Sequence, residues 1–93
     1  MSVSLQELAK ELEIPEEKLL NLGFAAYLEH ELRCAEEDIA DLRDKYLLLD
    51  KNDLEKRIKE KSIPEHPAWE DLIAWENTKE YILKLKNLLA KIK

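Results

Sequence analysis

From Leu28 onward the apolar residues fall at Leu28, Leu32, Ala35, Ile39, Leu42, Tyr46 and Leu49, stepping by four and three in strict alternation. That spacing is a heptad seam, the stripe that one helix lays against another. Upstream, Leu19, Leu20, Leu22, Phe24, Ala25, Ala26 and Tyr27 make the same stretch apolar nearly all round, a width that calls for two neighbours rather than one. Pro15 suits the opening of this helix, and Glu16 and Glu17 sit where carboxylates favour the positive end of its dipole. A helix over residues 15–46 would be about 48 Å long, too long to lie inside a compact ball of this size. Gly23 interrupts it at a cost of about 1 kcal/mol relative to alanine. Either a backbone packs closely there or the helix bends, with a full break as the alternative.

The other elements look cut to fit along that spine. Ser4-Leu5-Gln6-Glu7 is a capping box with Val3 and Leu8 at the staple positions, and it predicts a short helix over residues 5–12. Its apolar face, Leu5, Leu8, Ala9 and Leu12, makes residues 1–14 a docking segment, expected to cover the wide face around Phe24. Asp50 or Asn52 caps a third helix over about 52–61, whose only apolar pair is Leu54 and Ile58. The run from Ser62 to Pro67 is the clearest breaker, because each proline pushes its predecessor out of the helical region.

Pro67 then opens a last helix over 67–92, with Ala68, Leu72, Trp75, Ile82, Leu85, Leu89 and Ile92 on one face and Thr78 and Lys79 interrupting it. Glu70 and Asp71 at its start and Lys84, Lys86, Lys91 and Lys93 at its end match the helix dipole. The predicted fold is all-α and a single domain over residues 1–93. It is an elongated antiparallel hairpin of helices 15–46 and 67–92 with a short helix at each end, the third helix covering the tryptophans. Such an arrangement seals little surface, so a homodimer or hetero-oligomer is expected.

Composition narrows the picture. One Gly, three Pro and 39% charged residues exclude a turn-rich β fold. A surface rich in Glu and Lys is also what thermophile proteins often show. The net charge is −6, and residues 1–35 carry seven acids against three bases, so the amino-terminal half has little with which to neutralise phosphates. Direct nucleic-acid binding is disfavoured and a basic protein partner is easier to accommodate. The single cysteine, Cys34, excludes an internal disulfide and fits a reducing compartment. With no apolar run long enough for a bilayer and no basic start followed by one, the expected setting is the cytoplasm, away from membranes.

Candidate chemistry is sparse. His30 and Cys34 lie one helical turn apart, the spacing at which a helix presents two zinc ligands, with Asp38 as a conceivable third. Asp38, Asp41 and Asp44, with Glu37, Glu76 and Glu80, make a second grouping that would suit magnesium between helices. Neither has an ordered pair of motifs behind it, and a surface histidine and solvated acids are the ordinary explanation. There is no glycine-rich loop, nucleophile elbow or Ser/His/Asp set, so neither an enzyme nor a cofactor is expected. The most distinctive run is Pro64 to Asn77, in which Trp69 and Trp75 stand beside a rigid turn. They suit a recognition hot spot, although Trp75 with Leu72 also reads as core, with Trp69 over the hairpin end.

The segment from Leu5 through Leu32, with Leu19, Leu22, Ala26, Tyr27 and Leu28, resembles the helical part of ribbon-helix-helix repressors, and Ser2-Val3-Ser4-Leu5 resembles a vestige of the ribbon. From Glu31 onward, the chain is similar to small helical proteins proposed as antitoxins of prokaryotic toxin–antitoxin pairs. The matching features are the heptad stretch ending in Asp44-Lys45-Tyr46, the Leu54-Glu55-Lys56-Arg57 helix, and Trp69-Glu70-Asp71 followed by Trp75-Glu76. That resemblance implies an antitoxin neutralising a cognate toxin, often a basic ribonuclease. The contacts expected are Trp69, Glu70, Trp75, Glu76, Glu36, Glu37 and Asp38. The alternatives are a structural or adaptor homodimer without a toxin and, more remotely, a metal-dependent all-α enzyme.

Overall fold

The computed structural model describes residues 2–92, and Met1 and Lys93, the first of the docking segment and the last of the terminal lysines, lie outside them. Four helices follow one another: α1 (Leu5–Leu12), α2 (Glu16–Tyr46), α3 (Lys51–Lys59) and α4 (Glu65–Ile92). Among the described residues there is no strand, so no ribbon forms over residues 2–4. The chain is all-α and elongated, 61 × 29 × 16 Å. Its radius of gyration of 19.3 Å far exceeds the roughly 12 Å of a compact domain of this length.

Local signals account for the helix ends. The Ser4 side chain accepts a hydrogen bond from the Glu7 amide at 3.1 Å and caps α1. Glu13 ends that helix in the left-handed region, φ 57°. Pro15 stands just before α2 in an extended conformation rather than inside it. Leu47, also left-handed at φ 55°, closes α2. The expected seam therefore stops at Tyr46, and Leu49 is 83% exposed instead of continuing it. Between the two possible caps of α3, Asp50 is the one used, its carboxylate accepting from the Asn52 amide at 3.1 Å. In α4 only His66 is non-helical, and the peptide bond from His66 to Pro67 is cis. The regular helix thus starts at Pro67, where the sequence places it.

The two long helices lie antiparallel along the seam. Ala35 and Ile39 of α2 are buried with Leu72, Trp75, Leu85 and Leu89 of α4, and Leu28, Leu32, Leu42 and Ile82 are half-buried. The continuous core sits at one end, where Leu48, Leu54 and Ile58 close over Ile39, Ala68, Leu72 and Trp75. At the other end α1 packs on α2 alone to any extent, and only Ala9 of α1 is buried. Phe24 stays 53% exposed, so α1 does not cover the wide apolar face. Eight residues span about 12 Å, and this short helix meets α2 over a narrow strip.

Helix α2 runs unbroken through Gly23, and a Cβ built there would meet nothing within 4 Å. No backbone of the same chain approaches it.

Candidate interaction surface

Two long helices side by side bury one stripe each and leave their broad faces to solvent. On one such face Leu20, Gly23, Phe24 and Tyr27 recur at the three- and four-residue spacing that aligns side chains on a helix. All four are exposed, Tyr27 at 61%. The same line of α2 continues into Glu31, whose carboxylate accepts a hydrogen bond from the Tyr81 hydroxyl of α4 at 2.8 Å. That bond places Tyr81, and Leu88 two turns further along α4, beside the stripe. It also pushes the Tyr81 pKa up, with some burial, the Glu31 charge and neighbouring Tyr27 acting in the same direction. The result is an aromatic and aliphatic face shared by both helices, with the Glu31 carboxylate at its edge.

The opposite end is held by polar contacts as well as by its core. Asp71 accepts hydrogen bonds from Lys45, at 2.7 Å, and from the Tyr46 hydroxyl. The Lys45 hydrogen bond first, then that of Tyr46, holds the Asp71 carboxyl below its usual range. Burial first, then the bond to Asp71, pushes the Tyr46 hydroxyl up to about 12. Lys51 and Glu76 pair at 3.4 Å and tie α3 to α4. These contacts join α2 and α3 to α4. Beside them a groove of about 600 Å³ runs between the long helices, with Ile39, Trp75 and Ile82 below Glu36, Arg43 and Lys79.

The residues expected to contact a partner do not form one surface. Trp75 is only 2% exposed and belongs to the core with Leu72, so it presents nothing to a partner. α3 covers that tryptophan but leaves Trp69 45% exposed, beside the exposed Glu70. Glu76 is half-buried in its pair with Lys51. Glu36 lines the groove with Trp75, whereas Asp38 lies on the other face with Cys34, Thr78 and Tyr81. Glu37, between them in sequence, is exposed. Sequence reasoning missed Leu20, Tyr81 and Leu88 as surface-forming residues. The signal for Leu20 was there: with Phe24 and Tyr27 it forms a second stripe that does not coincide with the seam.

His30 and Cys34 do meet, Nε2 and Sγ being 3.7 Å apart. No group of three or more His, Cys, Asp or Glu side chains gathers to hold a metal ion among the described residues, and the acids of Asp38, Asp41, Asp44, Glu37, Glu76 and Glu80 do not converge. No helix among those residues is long and apolar enough to cross a membrane.

Among known protein families, the one described as Uncharacterized protein MJ0235 family matches residues 1–93. The chain belongs to this family. Neither a curated protein nor a solved structure matches it. The MJ0235 family description names no activity.

Proposed function

We propose that the chain is a helix-mediated protein–protein interaction module working through its open amino-terminal half. The observation that carries this reading is the exposure of Leu8, Leu12, Leu20, Leu22, Phe24 and Tyr27 in the half of the hairpin that lacks the buried cluster of Leu54, Ile58, Leu72 and Trp75. Leu20, Phe24 and Tyr27 share one face of α2, and exposed apolar surface gathered in this way marks an interaction site. The seven acids against three bases over residues 1–35 surround it with negative charge, which suits a basic partner. In its most concrete form the module is an antitoxin that neutralises a cognate toxin, as the resemblance of the Leu54–Arg57 and Trp69–Glu76 segments implies.

Co-expression with the product of the adjacent gene tests that form. The antitoxin reading expects a stable complex that survives purification and weakens when Phe24 or Leu22 is changed to Asp. Failure of the two products to associate would count against the antitoxin, and a complex indifferent to both changes would move the interface elsewhere. The second reading, a structural or adaptor homodimer, is favoured by the distribution of charge between the two long helices.

A further inference from the structure

We propose that the face formed by Leu20, Gly23, Phe24 and Tyr27 of α2 with Tyr81 and Leu88 of α4 is covered by the same face of a second copy, α4 of one chain lying over α2 of the other. This rests on the interaction-module reading and names the partner of that surface. The first support is thickness. At the α1 end the two long helices lie side by side with only α1 packed on α2, close to one layer of helices there, whereas stable domains pack two layers around a core. A second copy supplies the missing layer and turns two hairpins into an antiparallel four-helix arrangement.

The second support is charge. The α2 line through this face, Glu17, Leu20, Phe24, Tyr27, Glu31, Cys34 and Asp38, carries only acids, and the α4 line, Asn77, Tyr81, Lys84, Leu88 and Lys91, carries only bases. Laying α2 on α2 would oppose like charges. A twofold axis parallel to the helices instead sets α4 of one copy over α2 of the other at unchanged height. Since Tyr81 stands beside Glu31, Leu88 then falls level with Phe24, and Lys84 between Tyr27 and Glu31. Neither Lys84 nor Lys91 has an ion pair among the described residues.

Gly23 is the third support. It lies within the stripe, lowers helix propensity, and has open space where a Cβ would stand. A helix from the second copy would find there the one place on this face where backbones can approach closely. The area also fits. Large side chains of about 200 Å² each, roughly half exposed, give on the order of 450 Å² of apolar surface per copy. That is close to the apolar share of a standard interface of about 800 Å² per partner.

Sedimentation velocity and light scattering of the full chain test the proposal. The expected mass is twice that of the chain. Tyr27→Asp and Leu88→Asp should each raise the dimer dissociation constant by roughly 30-fold or more, with helicity by circular dichroism retained. Trp69→Ala, at the far end, should leave it unchanged. Lys84→Glu and Glu31→Lys should each weaken the dimer, and the two together should recover most of the loss. A dimer that survives Tyr27→Asp and Leu88→Asp, or a double charge variant no tighter than the single ones, would overturn the arrangement. A monomer at every concentration that still binds an apolar dye would refute the second copy and leave the interaction reading standing. A monomer that binds no dye would refute both.

Discussion

The two ends of the hairpin are built from similar material and reach opposite outcomes. At the α3 end, Leu54 and Ile58 close over Trp75, Leu72 and Ile39, and Lys45, Tyr46 and Asp71 clamp the rim. At the α1 end, a helix of nearly the same length leaves Phe24 and Tyr27 in water. The difference lies in what each short helix meets. α3 packs on α4 and completes a core between three helices, while α1 lies chiefly along α2. A short helix seals a hairpin only if it spans the groove between the long ones.

That contrast can be broken most forcefully by cavities. Leu54→Ala, at a fully buried site, should lower the unfolding free energy by about 3 kcal/mol. Phe24→Ala, measured at a dilution where the chain is monomeric, should change it by no more than about 0.5 kcal/mol. Urea unfolding followed by circular dichroism reads both. Equal losses would mean that the ends are equally closed.

The polar clamp makes the α3 end sensitive to pH. Asp71, with its folded pKa lowered, stabilises the fold above its ordinary value near about 4, and that contribution is lost as the pH falls below it. Tyr46, raised from 10.0 to about 12, contributes fully below pH 10 and loses its contribution as the pH rises through 12. Tyr46→Phe should cost about 1 kcal/mol near neutrality and flatten the alkaline arm of the stability profile between 10 and 12. Urea midpoints across the pH range check it, and an alkaline arm unchanged by the substitution would contradict the clamp.

Two smaller changes sharpen the picture of the open end. Gly23→Ala, made in the Tyr27→Asp background to keep the chain monomeric, should raise stability by up to about 1 kcal/mol, because nothing stands over the new methyl group. In the unaltered background it should weaken association instead. Ser4→Ala should remove the cap of α1 at a cost of about 0.5–1 kcal/mol. Its effect should be confined to amide exchange in residues 5–12, since α1 supports little else.

The helices were largely legible from periodicity, capping and proline placement. Leu28 to Tyr46 and Ala68 to Ile92 face each other because both carry a stripe at heptad spacing, and Asp50 and Ser4 cap because their side chains reach free amides. Periodicity shows which side of a helix is apolar but not whether anything lies on it. Periodicity alone therefore places α1 over Phe24 and carries the seam to Leu49, whereas Leu47 ends it by turning left-handed. Trp75 illustrates the same limit. A tryptophan beside acids suits a hot spot and a core equally well until the position of α3 decides between them. The pairing of Tyr46 with Asp71, 25 residues apart in sequence, depends on the register of two helices, which no local pattern encodes.

Amide hydrogen exchange of the full chain, compared between dilute and concentrated solution, addresses the asymmetry most directly. Protection should rise with concentration over residues 17–31 and 81–91, while residues 51–75 stay as protected as they were. No change anywhere, or a rise centred on α3 and the start of α4, would contradict the assignment of the open half as the surface that seeks a partner.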